Sequence, residues 1–430
     1  MRMRLLALIL SLLPGFAWTQ PTNPPPSTLY GRSGLWARHQ QFNALDVLSR
    51  IASAARYNNP RVNPPMGAPP AIASSTSANG ALTNTILWNG SLAGVFNFYG
   101  GAPTSDGVGC VKFPSSTVNG VYSPYVARVE VSVDAVKVQF KILDISGLAV
   151  LNFIVNGRYV SGTVTTPGIG GFAYVTLDFT NAGGRAIRDI VMESQGADFC
   201  ALSVGPTETM NKPAGTVLRL AVVGDSFTAS GGMTPLFVGY AQILADLLGI
   251  RDVWNLGVGG TGILTTGGQL TCPQRLSDLV AAAPNIILLA CGHNDQSNSP
   301  TAVQAGMLAW LQAIRAQPVL ANVPIIVAPL WGNSSPSTAQ ATETAMQAAV
   351  ATFNDPLVYF IRDANDPNGP KMTGTGCLAS PTGTGDADVY ISAADCIHPY
   401  QANYGAQPEG GHWYYAQKLA DQIMAQVLIP

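Results

Sequence analysis

Charge is scarce in this sequence. Charged residues make up 11% of its 430 positions, against about 25% in an ordinary globular chain. The 22 Lys and Arg nearly balance the 24 Asp and Glu, for a formal net charge of −2, and no basic run or stripe occurs. That excludes nucleic-acid binding as a main role, because neutralising phosphates needs clustered cations. Histidine is rarer still, with four scattered residues, and there is no Cys-x-x-Cys. The spacing of a metal site is therefore missing, and no metal is expected. Beyond the first residues, no stretch approaches the roughly 18 uninterrupted apolar residues of a membrane-spanning helix. What is plentiful is apolar surface, 47% hydrophobic, and glycine, 45 residues. A chain of this length and composition can bury a large interior and is expected to divide into two domains.

Arg2 and Arg4 precede an apolar run from Leu5 to Leu13, Pro14 breaks it, and Gly15-Phe16-Ala17 offers small residues for cleavage after Ala17. Residues 1–17 read as a secretory signal peptide, too short to span stably; the alternative is a retained anchor. A secreted or periplasmic protein without a stable membrane anchor is expected. All six cysteines lie beyond this segment, and an even number in an exported chain permits disulfides. Cys110 and Cys200 are the only two in the N-terminal half and are expected to pair. Cys377 and Cys396 bracket a loop rich in Gly, Thr, Ser, Asp and Pro. A disulfide closing a loop of that size stabilises by about 3 kcal/mol on the chain-entropy model. Cys272 and Cys291 either pair or remain two thiols, with Cys291 buried at a strand end.

Residues 18–72 form a Pro-rich leader with a helix predicted at 33–56, from Leu35, Trp36, Phe42, Leu45, Leu48 and Ile51. Residues 73–212 change texture. Val126–Val133 alternates apolar and polar, as do much of Val136–Leu143, Val150–Val155 and Phe172–Phe179, with Asn156-Gly157 and Gly183-Gly184 as turn signals. Many short strands with Gly-rich turns predict an all-β sandwich, jelly-roll-like. From 213 to 430 the pattern becomes strand, helix, strand, helix. Strands are predicted at 216–223, 252–256, 285–291, 324–330 and 356–361, and helices at 236–249, 273–283, 301–316, 337–352 and 411–427. This is a parallel sheet with helices on both faces.

The chemistry gathers just past strand ends, where open α/β sheets place ligands. Gly224-Asp225-Ser226 puts a serine on a strand-to-helix turn. Asn255-Leu256-Gly257-Val258-Gly259-Gly260-Thr261 follows the second strand, and Gly292-His293-Asn294-Asp295 the third. Near the end, Asp395-Cys396-Ile397-His398-Pro399 supplies a base and an orienting carboxylate in one segment. Serine, imidazole and carboxylate are the parts of nucleophilic acyl transfer. The four blocks, in this order, resemble the SGNH (GDSL-type) hydrolase family over roughly residues 216–430. The resemblance implies a three-layer α/β/α, flavodoxin-like fold, with Ser226 as nucleophile and Asp395 and His398 as acid and base. It also implies an oxyanion hole from the Ser226 and Gly260 backbone N–H groups and the Asn294 amide, and no cofactor. Gly257, Gly259 and Gly262 compete with Gly260, and the family spacing from Asn255 favours Gly260.

Several neighbours have plainer readings. Ser226 could simply cap the next helix. Asp225 is expected to tie its own turn, Asp295 to be a turn or cap residue, and His293 a turn residue. His412 rivals His398 as base but lacks a carboxylate at minus three. Relatives usually begin the final helix a few residues after His-Pro; here Tyr400 to Gly410 intervenes. Tyr400, Tyr404 and Trp331 are candidate substrate contacts. A β-sandwich ahead of such a domain resembles secreted two-domain carbohydrate acetyl esterases, which implies an acylated glycan as substrate. A lipolytic or aryl esterase and a glycan O-acyltransferase are alternatives within the same chemistry. A non-catalytic carbohydrate-binding protein is the alternative of another class, and the intact set of site residues argues against it. If the sandwich itself stacks sugars it must use Trp88 or tyrosines such as Tyr99, Tyr122, Tyr125 or Tyr159.

Overall fold

The computed structural model describes residues 44, 46–51, 66–91, 93–113, 127–145, 147, 149–160, 164–166, 170–214, 217–229, 239–332, 336–366, 374–400 and 410–428. The signal peptide, most of the leader, Tyr122, Tyr125 and Tyr404 lie outside them. Residues Asn43–Pro430 form one compact unit. Of the helix expected at 33–56, residues 44 and 46–51 are helical, and Leu48 and Ile51 pack into the same core as Leu220, Leu248 and Ile423.

Residues 71–211 build two antiparallel sheets. One runs Ala71–Ser75, Phe172–Asp178, Lys137–Asp144, Ala197–Val204, Val111–Lys112 and Thr104–Ser105, with Asn84–Leu87 also on Ala197–Val204. The other centres on Ala186–Gln195 between Val150–Val155 and Ala127–Ala135. Alternation explains the sandwich: Val129, Val131 and Val133, with Phe153 of the same sheet, share one apolar core with Phe140 and Phe199 of the other. The long strands Ala186–Gln195 and Ala197–Val204 were not in the sequence reading. Both are buried along most of their length, so neither alternates cleanly.

The second layer is a five-stranded parallel sheet. Its strands, in chain order, are Arg219–Gly224, Asp252–Gly257, Ile286–Ala290, Ile325–Val327 and Val358–Phe360, and their spatial order is second, first, third, fourth, fifth. Leu220 and Val222 face one helix layer, and Ala221 and Val223 the other. Pairing such as Val223 with Leu256 and Leu289 sets the strands in register, so that Gly224 lies beside Gly257 and Ala290. All five strands therefore end at one edge. The helices are Tyr240–Leu247, Leu276–Ala282, Pro300–Arg315, Pro336–Phe353, Ala387–Tyr390 and Gly411–Ile423.

The polar contacts that join the two layers lie at the opposite edge, where the strands begin. Arg128 is buried and donates to Glu193 at 2.8 Å, to Asp246 at 2.7 Å and to the Arg251 carbonyl at 3.1 Å. Glu130 accepts from Arg251, Tyr99 and Asn97, and the Gly100 N–H donates to Asp252 at 3.0 Å. Burial opposes the Arg128 charge, but Asp246 and Glu193 outweigh it and raise its pKa. Tyr99 is buried and bonded to Glu130, so its ring is not an open stacking face; Tyr159 is half-buried, its hydroxyl 3.4 Å from Asp246. Arg128→Met would leave buried Glu193 and Asp246 without their shared cation. The expected cost is about 3–5 kcal/mol, read from urea unfolding; a loss below about 1 kcal/mol would contradict this account.

Candidate active site

Ser226 sits two residues past the first strand, half-buried, on a tight turn. Asp225 beneath it is fully buried and accepts the Phe227 N–H at 3.0 Å, tying the turn as expected. Burial pushes its carboxyl up to about 7, against the pull of the Arg275 charge. The second block wraps over this turn. The Asn255 amide donates to the Thr228 carbonyl at 2.6 Å, and a Cβ placed on Gly259 would lie 3.7 Å from that of Ser226. Gly260 is exposed with φ +75°. Its glycine is required by this left-handed backbone; a Cβ would find ordinary contacts there.

Asn294, in a short 3-10 turn after the third strand, donates from its side-chain amide to the Thr261 carbonyl at 2.9 Å. Asp295 does more than close that turn. Its buried carboxylate accepts the N–H groups of Ile263, Leu264 and Thr265 at 2.6, 2.9 and 3.0 Å. Asp295 thus clamps the Gly260 loop to the Asn294 turn, and the two side-by-side oxyanion candidates are held by one carboxylate. Gly262 is required here, because a Cβ would stand 2.4 Å from an Asp295 oxygen. The pair Cys272–Cys291 is a disulfide and ties the same loop region to the third strand end; Cys110–Cys200 and Cys377–Cys396 are bonded as well.

His398 lies in the long final loop. Its Nδ1 is 2.5 Å from the Asp395 carboxylate, whose other oxygen accepts the Ile397 and His398 amides at 3.0 and 3.1 Å. Burial pushes Asp395 up, but the bonds from the His398 ring and these amides outweigh it and hold the carboxyl below its ordinary value. An ionised Asp395 accepts a hydrogen bond from Nδ1–H and so keeps the proton on that nitrogen. Nε2 is then the basic nitrogen, and it has no hydrogen-bond partner among the described residues. The fully buried Phe227, next to Ser226, joins the two halves: its ring centroid is 5.4 Å from that of His398 and 4.8 Å from that of His293. Gly332 makes room, since a Cβ there would stand 2.4 Å from the Ile397 carbonyl and 2.7 Å from the Phe227 ring.

The rival histidine is accounted for. His412 is fully buried, and its Nδ1 accepts the Tyr240 N–H at 3.1 Å, capping that helix. Trp331 is a correction. It is 3% exposed and its indole donates to Glu343 at 2.9 Å, so it backs the Gly292 turn and offers no face to a substrate. Glu343, unnoticed in the sequence, also accepts three amides from Asp363, Ala364 and Asn365. Tyr400 is half-buried beside His398, its N–H on the Tyr390 carbonyl at 2.7 Å. Among the described residues no three His, Cys, Asp or Glu cluster as metal ligands would.

Residues 222–406 match the family described as GDSL-like Lipase/Acylhydrolase. This part of the chain is a GDSL-like acylhydrolase domain, a carboxylic ester hydrolase. No curated protein sequence matches the chain. Solved structures resemble it in fold. A salicylyl-acyltransferase from a tetracycline biosynthetic pathway covers 82% of this chain and 99% of its own, with TM-score 0.58 and 14% identity. An acetyl xylan esterase from the rumen bacterium Butyrivibrio proteoclasticus covers 84% and 100%, with TM-score 0.51 and 11% identity. A family two carbohydrate esterase from Clostridium thermocellum, in complex with cellohexaose, covers 77% and 99%, with TM-score 0.51 and 14% identity. These coverages span the β-rich part as well as the GDSL-like domain.

Two expectations follow from the geometry. Gly262→Ala pushes the Asp295 clamp away from the loop. Esterase kcat should fall by about 10-fold or more while the fold persists by circular dichroism; an unchanged kcat would remove the clamp from the account. The second concerns pH. Burial pushes His412 down to about 3 and His293 to about 4, whereas both titrate near 6.5 when unfolded. Between these values the unfolded chain binds more protons, so the stability these neutral rings confer is present above about 6.5 and lost as pH falls. His412→Asn keeps an acceptor for Tyr240 without a titrating ring. It should reduce the drop in Tm between pH 7 and pH 5 relative to the parent protein, and an equal drop in both would refute the assignment.

Proposed function

We propose that this chain is an exported serine esterase that removes short acyl groups, acetyl foremost, from a polysaccharide. The observation that carries the reading is the His398–Asp395 pair, with its Nε2 unengaged and its ring against Phe227, the residue after Ser226. In this reading His398 takes the Ser226 proton as the oxygen attacks the ester carbonyl, and Asp395 holds the imidazole and balances its charge. The Ser226 and Gly260 N–H groups and the second Asn294 amide hydrogen receive the oxyanion. His398 then protonates the leaving sugar oxygen, which departs as the hydroxyl, and water hydrolyses the acyl-Ser226 ester to release the acid.

Export is supported by the Arg2/Arg4 and Leu5–Leu13 pattern and by the three disulfides, which persist in oxidising compartments. No helix among the described residues is long and apolar enough to cross a membrane. The glycan substrate is supported by the two-part architecture shared with the acetyl xylan esterase and the cellohexaose-bound esterase. The β-sandwich meets the sheet edge opposite Ser226, so in this reading it braces the enzyme, and the loops after the strands, with Tyr400 and Tyr404, meet the sugar. Transfer of the acyl group to a second glycan uses the same groups, and the fold shared with the salicylyl-acyltransferase keeps it as the second reading.

Purified protein and Ser226→Ala should be assayed on p-nitrophenyl acetate, butyrate and octanoate and on acetylated xylan. Turnover should be fastest on acetyl substrates and fall by at least about 10⁴ in the variant. Activity that survives in Ser226→Ala would end the serine-esterase reading, and acyl-glycan formed in place of free acetate would select transfer.

A further inference from the structure

Arg275 is 2% exposed, in a chain with only 22 cations. Its donors reach groups around the site. One nitrogen reaches the Gly224 carbonyl at 3.0 Å, the Thr261 hydroxyl at 3.1 Å and the Cys272 sulfur at 3.0 Å. The other terminal nitrogen meets the Leu256 carbonyl, and Nε the Thr271 carbonyl at 3.5 Å. Gly224 closes the first strand, two residues before Ser226. Leu256 lies in the second strand, four before Gly260, and Thr261 directly follows Gly260. One rigid planar group therefore grips both backbone segments that carry the Ser226 and Gly260 N–H groups. Thr261 passes the restraint on, donating to the Val258 carbonyl at 2.7 Å. The Cys272–Cys291 bond extends it to the strand that delivers Asn294.

We propose that Arg275 is the positioning residue of the oxyanion hole. It touches no reacting atom; it fixes the spacing between the Ser226 and Gly260 N–H donors. This rests on the serine-esterase reading above. Oxyanion bonds are strong only in the transition state, and such donors must be held within about 0.5 Å. Loosening them lowers kcat and leaves KM alone. Lysine keeps the charge but cannot span acceptors on both strands.

The test compares the parent protein, Arg275→Lys, Thr261→Val and Ser226→Ala on p-nitrophenyl acetate. It adds the inhibition constant of a phenylboronic acid, which forms a tetrahedral adduct on serine, and hydrogen exchange of residues 258–265. Arg275→Lys should lose about 10²-fold in kcat with KM within twofold, and bind the boronic acid weaker by a similar factor. Its exchange should quicken in 258–265 above the rest of the domain. Thr261→Val, which removes one acceptor, should lose about tenfold in the same pattern and serves if the lysine variant does not fold. A lysine variant with parental kcat, a loss confined to KM, or boronic acid binding unchanged while kcat falls would each overturn the proposal. An inactive parent, or activity surviving in Ser226→Ala, defeats the underlying esterase reading instead, and uniform exchange across 258–265 and the rest of the domain then also removes the restraint on the loop.

Discussion

A parallel sheet ends in backbone groups that have lost their ladder partners, and here those ends are buried. The requirement that buried carbonyls and amides find partners organises this end of the molecule. The Gly224 carbonyl is met by the Val258 N–H at 3.1 Å and by Arg275. Three loop amides converge on Asp295, and three more, with an indole, on Glu343. The open N-terminus of the helix Tyr240–Leu247 is met by His412. In each case a side chain stands where water would otherwise sit. Because each clamp holds two segments, satisfying the backbone also places Ser226, Gly260 and Asn294. Stability and site geometry are the same set of bonds here, which is why rigidity reaches the loops and does not stop at the strands.

The scarcity of charge gives this arrangement its meaning. A buried ion costs free energy unless hydrogen-bonded throughout, and the chain carries few ions to begin with. Several of those it buries gather at two places. One is the edge where the strands end, with Asp225, Arg275, Asp295 and Glu343. The other is the junction with the β-sandwich, with Arg128, Glu130, Glu193, Asp246 and Asp252. The first set shapes backbone; the second locks two layers by complementary charge. The sandwich is thus bound where the strands begin, and the edge where they end stays free of it in the contacts described.

How much of this could be read in the sequence depends on sequence distance. The parallel sheet was legible because each strand is a short apolar run followed by a helix. The four chemical blocks were legible because each is local, and Asp395 and His398 lie only three residues apart. What joins the blocks is not local. Asp295 reaches back to Ile263–Thr265, Arg275 to Gly224, and Tyr415 to the Trp331 carbonyl. Such partners leave no periodic mark, and an isolated Arg near a helix start looks like any surface cation. Trp331 misled for the same reason: an aromatic residue after a strand resembles a pocket wall until Glu343 and Tyr415 are seen to enclose it.

The two halves of the site are anchored independently. The Ser226, Gly260 and Asn294 half grows from the sheet and is held by Arg275, Asp295 and the Cys272–Cys291 bond. The His398 half belongs to a loop with no strand of its own. There the Cys377–Cys396 bond, the Ile391–Pro399 bridge and the bonds from Ser392 to the His398 carbonyl at 2.8 Å and from Tyr400 to the Tyr390 carbonyl at 2.7 Å stand in for a sheet. In the proposed reaction, proton transfer to His398 and charge build-up in the oxyanion hole occur in one transition state, so the halves must stay in register with each other and not only within themselves. The contact that enforces this is apolar: Phe227 packed under His398, with Gly332 leaving the space. Its ring is fully buried and touches His293, His398 and Tyr415. A polar bridge there would compete for the His398 ring nitrogens. A hydrocarbon ring fixes the imidazole's position without engaging Nε2, which is what the proposed general base requires.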